Sequence, residues 1–427
     1  MENKATLSKK AFFGAAVGTM AEYYDYALFS LFLPIVAPIF FPADSAYASL
    51  VKGYFIYLIA MLARPFGGLI FGYIGDVFGR PKALLASMYG IALSSFVIGI
   101  TPSYLIIGIW ALIIIMIAKA IQTLCFGGEY NGAGIYVVEH AAPHRAALAG
   151  SLLTALMHCG GLLATLIGVV LTYSFMPAWS WRIAFILGGL IGIFGILYRK
   201  NLAPSPNFIP ANIEYNGLLT LIKQFPRELL AGIFIGGLAT SPFTTVFLFV
   251  LPIFTAKGLL TAHQFMMTES ILTLFAIITL VIVGFTADKI SPLRVMRFSC
   301  ILLVCFSYSL LSIVDKGNLF SIIIAMAGII VINQILLGPS NAYLKMIFPM
   351  QYRYRGSSIS FCIGMSLFGG LTPIVENYLY RTSGNFNSAS CWLILVGMGG
   401  LFSLELVRRK RGNTISLPDT VITPPAS

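Results

Sequence analysis

An all-α membrane protein with twelve transmembrane helices in two six-helix halves is the fold class this sequence predicts, on three observations. The 427-residue chain is 58% hydrophobic and only 10% charged, with a mean hydropathy of +0.90. Soluble domains run at about 45–50% apolar and about 25% charged residues, so a soluble enzyme is excluded. The apolar excess also recurs from Ala11 to about Val407 instead of forming one anchor. Finally, it falls into twelve stretches, each close to the roughly 20 apolar residues that a spanning helix needs.

In chain order the first six stretches cover approximately 11–40, 51–74, 83–101, 109–139, 146–174 and 181–199. The second six cover 229–255, 266–287, 295–314, 318–346, 356–380 and 388–407. The first begins after Lys9 and Lys10, as a signal peptide does, yet it continues to Phe41 and holds Glu22 and Asp25. A short targeting segment does not tolerate those acids, so this is a retained helix. Polar or Pro- and Gly-rich breaks separate the stretches, as at Thr101-Pro-Ser103 and Ser291-Pro292. The longest break, Lys200 to Glu228, lies halfway along. The expected organisation is therefore a first half over 1–199, a central loop over 200–228, a second half over 229–407 and a short tail over 408–427. The tail carries Arg408 to Arg411 as an orientation anchor and Pro418, Pro424 and Pro425, with no heptads.

The net charge of +12 does not make the chain a nucleic-acid binder, because membrane proteins gather Lys and Arg in cytoplasmic loops. With the N-terminus placed in the cytoplasm, twenty basic residues fall inside and five outside, while Arg64 and Lys119 lie within helices. Both termini are expected in the cytoplasm. The six cysteines stand singly in apolar stretches without metal-ligand spacing and read as small buried residues. No Walker loop, zinc spacing or Ser-His-Asp arrangement is visible. Neither enzymatic chemistry nor a metal or cofactor is expected, and the partners are the lipid bilayer, a small-molecule substrate and protons, with the chain a monomer.

Charges inside the spans carry the functional reading. Glu22, Asp25, Arg64, Lys119 and Glu129 all fall within predicted helices, each costing about 2.5–3.5 kcal/mol at mid-membrane on an insertion scale. They must pair, protonate or face a water-filled cavity. Glu22 and Asp25, three residues apart, share one helix face with Gly18 and Phe29. Tyr57, Arg64, Phe71 and Gly75 align on helix 2, and Gln122, Glu129 and Tyr136 on helix 4, with Lys119 slightly round the cylinder. Such stripes line a cavity if they converge. His158, Asn333, Gln334 and Glu376 are weaker candidates: the histidine fits packing better than proton relay, and the amides fit helix–helix hydrogen bonds equally well.

The chain also repeats itself. Gly72-Tyr-Ile-Gly75-Asp76 leads to Gly79-Arg80-Pro81-Lys82, and 212 residues later Gly284-Phe-Thr-Ala-Asp288 leads to Ser291-Pro292-Leu293-Arg294. Duplicated halves with a site between them at the bilayer midplane are a common transporter plan.

The loop from Gly72 to Lys82 resembles the signature loop of the major facilitator superfamily. Its glycines permit tight turns and close helix approach. Its acid can pair with a loop arginine or sit at a helix N-terminus. Gly72, Gly75, Asp76, Gly79, Arg80 and the repeated Asp288 would thus brace one conformation and release in the other. Finer motifs resemble the metabolite:proton symporters, which include α-ketoglutarate, citrate, shikimate and proline/betaine transporters. These motifs are Gly18-Thr19-x-x-Glu22-Tyr23-Tyr24-Asp25-Tyr26, Arg64-Pro65-x-Gly67-Gly68, Gly127-Gly128-Glu129-Tyr130 and Phe348-Pro349-x-x-x-Arg353-Tyr354-x-Gly356. Departures occur: R-x-x-Q-G reads Lys119-x-x-Gln122-Thr123, L-x-E-S-P-x-F loses its acid at Pro204, and a helix 11 Y-N pair reads Phe361-Cys362. The last puts substrate identity in doubt more than fold.

The resemblance implies a symporter importing a small carboxylate-bearing or zwitterionic metabolite across the inner membrane by rocking of its halves. An exporter of the same fold and a non-transporting sensor are the alternatives. Arg64, with Lys119, Tyr57, Tyr26 and Gln122, is expected to bind substrate, and Glu22, Asp25 and Glu129 to carry protons.

Overall fold

The computed structural model describes residues 9–78, 80–199, 217–316, 318–349 and 353–411. It is helical, with no strand among the described residues. Helices 1 to 5 span Gly18–Phe40, Ala46–Gly75, Pro81–Ile100, Ile109–Val138 and Ala146–Leu171, and helix 6 is the shorter Trp181–Leu197. Helices 7 to 12 span Pro226–Ala256, Ala262–Ile290, Pro292–Lys316, Leu319–Ile347, Arg353–Ser383 and Phe386–Arg409. All twelve overlap the stretches read from hydropathy, and the chain is a multi-pass membrane protein. Most of the central segment lies outside the described residues, save a short helix at Gly217–Gln224.

Twelve passes put both described chain ends on one side of the bundle, called here the terminal side. Helices 3 and 6, 1 and 5, and 2 and 4 pack against one another, as do 9 and 10 and 7 and 11. The first six helices meet the last six chiefly where helix 5 lies along helix 8 and helix 2 along helix 11. Helices 2 and 4 cross closely because Gly67 sits on the Leu124 carbonyl and Gly127 on that of Arg64, where any Cβ would collide.

Prolines shape the helices that surround the centre. Pro65 has no N–H for the Met61 carbonyl, and helix 2 is interrupted at Ala63, between segments ending at Leu62 and beginning at Arg64. The Ser366 hydroxyl of helix 11 donates to that freed carbonyl at 2.5 Å. Pro242 likewise frees the Leu238 carbonyl in helix 7, and the Asn333 amide of helix 10 donates to it at 2.8 Å. Asn333 is thus a helix–helix tie. A turn of π-helix, Thr245–Val250, follows Pro242.

Candidate functional site

A cavity opens between the two sets of helices. Its wall takes Tyr26, Tyr57, Arg64 and His158 from helices 1, 2 and 5, and Thr240, Thr244 and Thr273 from helices 7 and 8. Its room, about 70 Å³ counted at the centres of water molecules, exceeds the roughly 10–15 Å³ that one water requires. The wall is mostly apolar and aromatic, with Phe126, Phe243 and Phe247 among its members.

Arg64 is the charged group in that wall. It begins the second segment of helix 2, so the Pro65 break aims it at the centre of the bundle. It is 1% exposed. Its Nη1 donates to the Tyr26 hydroxyl at 3.2 Å and lies 3.9 Å from the Met61 sulfur. The guanidinium carbon stands 4.5 Å from the Phe126 ring centre and 5.1 Å from that of Tyr26. Its Nε has no hydrogen-bond partner. Glu405 holds Arg297, Arg408 and Arg409 in ion pairs near the start of helix 9 and the end of helix 12. Of the helix 1 acids, Asp25 turns to helix 6 and not to Arg64. Ring faces and a hydroxyl stabilise a cation by about 2 kcal/mol or more when desolvated without cancelling its charge.

Lys119 and Gln122 lie behind this wall and not in it. Lys119 is fully buried, and its Nζ donates to Gln122 Oε1 at 2.8 Å and to the Tyr26 carbonyl at 3.2 Å. It also faces the Tyr26 and Phe29 rings at 5.0 and 5.1 Å. Gln122 Nε2 in turn donates to Ser95 Oγ at 2.9 Å and to the Asp25 carbonyl at 3.2 Å. This network ties helices 1, 3 and 4 together. Lys119 and Gln122, expected to bind substrate, do not line the cavity, and the network engages both side chains.

The acids separate. Asp25 points towards helix 6, where Gly188 and Gly192 leave room for its carboxylate, with Ser95 and Lys119 as polar neighbours. Glu22 is buried one turn earlier. The Glu129 side chain lies outside the described residues. Glu376 of helix 11 is fully buried and accepts from the Thr245 hydroxyl at 2.7 Å. His158 Nδ1 lies 2.9 Å from the Thr154 carbonyl, and its ring stacks on Tyr23 at 5.4 Å, as packing predicts.

Contacts close the bundle on both sides of the cavity. On the terminal side, the Asp288 carboxylate at the end of helix 8 accepts the Ala147 and Leu148 N–H groups at 2.8 and 3.0 Å. The Tyr354 hydroxyl of helix 11 donates to the Gly128 carbonyl at 2.9 Å, and Gly72 and Gly75 lie beneath its ring. Lys345 donates to the Val138 carbonyl at 2.9 Å. On the other side, Ser270 donates to Thr165 at 2.8 Å, and the Tyr47 hydroxyl bonds Asn377.

Comparison with known proteins gives this architecture its place. Residues 11–217 match the family described as Sugar (and other) transporter. A proposed proline/betaine transporter of Staphylococcus haemolyticus is 28% identical over 422 residues, covering 94% of this chain and 87% of that one. The Ectoine/proline transporter ProP of Corynebacterium glutamicum is 27% identical over 395 residues, covering 87% and 78%. Among solved structures, the proton:xylose symporter XylE bound to 6-bromo-6-deoxy-D-glucose superposes with a TM-score of 0.76 at 16% identity, over 94% of this chain and 95% of that one. The chain shares the fold of this major facilitator superfamily symporter and is similar in sequence to these transporters over most of its length.

In this chain the Asp288 carboxylate sits at the N-terminus of helix 5, the second of the two placements open to the loop acid. A carboxylate there gains about 0.3–1 kcal/mol from the helix dipole. The equivalent contacts of Asp76 and Arg80 cannot be described, since their side chains and all of Gly79 lie outside the described residues. One buried acid escaped the sequence reading. Glu269, near the start of helix 8, is fully buried, and neither of its oxygens has a hydrogen-bond partner. The signal was available: Glu269 stands in the apolar run from Phe265 to Leu280. A charge one turn inside a span reads as a helix end unless the true start, Ala262, is known.

Proposed function

We propose that this transporter is a proton-coupled symporter importing a small carboxylate-bearing or zwitterionic metabolite across the bacterial inner membrane, with both termini cytoplasmic. The observation that carries this is Arg64: a buried guanidinium in the cavity wall, with a free Nε and no carboxylate pairing it among the described residues. A cation so placed favours an anionic ligand group, and its fork suits a carboxylate in two-point contact. Tyr26 and Tyr57 would flank that carboxylate, while Lys119 and Gln122 would act at one remove by fixing helix 1. The similar proteins named as proline/betaine and ectoine/proline transporters support a zwitterionic substrate, and the proton:xylose symporter XylE supports proton coupling.

Asp25, Glu22 and Glu129 remain the proposed proton carriers of the first half. Asp25 supports this best, since its carboxylate accepts no hydrogen bond of good geometry in a fully buried setting. Residues 1–199 and 229–407 would rock about the cavity, breaking the Asp288 and Tyr354 contacts in one phase and the Thr165–Ser270 contact in the other. Proteoliposome uptake of proline, betaine and organic acids is the test. An inward proton gradient should drive accumulation, and a protonophore should abolish it. Accumulation driven equally by sodium alone, without pH dependence, would sink the proposal.

A further inference from the structure

Glu269 shares with Asp25 a buried carboxylate that accepts no hydrogen bond, but it lacks the Ser95 and Lys119 neighbours that Asp25 has. It is 0% exposed, and both carboxylate oxygens lack a hydrogen-bond partner. It lies on helix 8, whose main partner is helix 5 of the other half. Packing around it is tight: Ser270 bonds Thr165, and Met266 fills the space left by Gly168. Yet the cavity is near. Thr273, one turn along the same face, lines it, as does Thr165 across the contact. The internal repeat that aligns Gly72 with Gly284 and Asp76 with Asp288 also places Glu269 at the position of Tyr57, itself in the cavity wall.

Among the described residues, no charge on the surrounding elements meets it. On helix 5, His158 is engaged with Thr154 and stacked on Tyr23, and Cys159 is its neighbour. His263, on helix 8 itself, lies against the Val169 carbonyl. At the end of helix 7, Lys257 bonds the Tyr380 hydroxyl. From helix 9, Asp315 takes the Phe386 and Asn387 N–H groups, and Lys316 ends that helix. Lys345 of helix 10 bonds Val138, and His144 and Arg145 adjoin Asp288, both at the terminal side. Helix 1 offers Asp25, which faces helix 6. An ionised carboxylate with neither donor nor cation is strongly disfavoured in such a place.

We propose that Glu269 is a proton-binding site, and that helices 5 and 8 pack closed beside it only when it holds its proton. When the non-terminal side opens, water reaches the carboxylate, and a hydronium ion gives up one O–H proton to it, forming the carboxyl O–H bond and leaving water. Closure then carries the neutral acid inward. Opening of the cavity to the terminal side brings water to it through the Thr273 turn, where the O–H bond breaks and water accepts the proton. This rests on the proton-symport reading and adds a carrier from the second half to it.

The test uses the full chain in lipid nanodiscs and infrared difference spectra between neutral and alkaline pH, with the proton as the probe. Wild type should show a protonated-carboxyl C=O band that disappears at alkaline pH. Glu269→Gln should lack that component, Glu376→Gln should keep it, and Glu269→Asp should restore it at a shifted frequency. Glu269→Gln is isosteric and removes only the charge, so its Tm should stay near wild type. In proteoliposomes it should keep substrate exchange within severalfold while its pH dependence flattens. Identical carboxyl bands in wild type and Glu269→Gln would overturn the proposal, as would an unaltered pH profile. The band does not depend on substrate. A wild type whose uptake ignores the proton gradient would therefore fail the symport reading, while the band still decides Glu269.

Discussion

Arg64 and Lys119, among helices 1 to 4, are held by two ring pairs, a hydroxyl, an amide and a backbone carbonyl. Glu269 and Glu376, among helices 8 and 11, share between them one threonine hydroxyl. The first region thus stabilises charge without neutralising it, and the second buries acids with almost nothing to solvate the ionised form. A cation that keeps its charge attracts an anionic ligand. An acid left bare is at ease only when neutral, which makes it a place for a proton. On the proposed reading the contrast puts the substrate-holding charge in the first region and adds a proton site in the second, with Asp25 as the acid of the first region that behaves like the second.

The largest effect expected from breaking this contrast is at Arg64. Arg64→Ala should weaken carboxylate binding by about 3 kcal/mol, more than a hundredfold, and Arg64→Lys should recover part of it because only the fork is lost. Calorimetric titration of the purified chain with a bound carboxylate checks both. Next comes Asn333→Ala, which leaves the Leu238 carbonyl bare beside Pro242. Destabilisation of about 2 kcal/mol is expected, seen as a lowered Tm. The additional change Pro242→Ala should return much of it by restoring an N–H donor, a coupling that a double-mutant cycle measures. Ser366→Ala should cost less, about 1 kcal/mol, since one carbonyl, that of Met61, loses one hydroxyl.

Asp288→Asn is the smallest in binding and the most specific in rate. Affinity should stay within severalfold, because the cavity is untouched. Counterflow should change several-fold, since an amide gives up the charge that answers the helix 5 N-terminus, worth about 0.3–1 kcal/mol. Asp76→Asn should behave in the same way if the repeat extends to its contacts. Lost binding with unaltered exchange in either variant would contradict a brace.

Sequence alone made the twelve spans legible, since each needs only local hydropathy, and it singled out Arg64 and Asp288 because a charge in an apolar run or a repeated loop is visible without coordinates. It did not reveal what those charges touch. Sequence reads Lys119 as a second substrate cation, and only the structure shows its ammonium on Gln122 and the Tyr26 carbonyl. Spacing also does not reveal that Asp25 faces helix 6 and not Arg64. The ties from Ser366 to Met61 and from Asn333 to Leu238 depend on helices distant in sequence. The prolines that free those carbonyls were in plain view, but the residues that answer them were not.

The central claim, that Arg64 waits for a substrate carboxylate and not for a helix 1 acid, is tested most directly by one double-mutant comparison. Binding of a panel of organic acids, amino acids and betaines is measured by thermal shift, since a ligand of the folded state raises Tm. Wild type, Arg64→Ala, and Arg64→Ala combined with Asp25→Asn or Glu22→Gln are compared. A shift in wild type that is lost in Arg64→Ala and stays lost in both double variants is the predicted result. Recovery of binding when the acid is neutralised would make Arg64 the partner of that acid and contradict its role as the substrate's anchor.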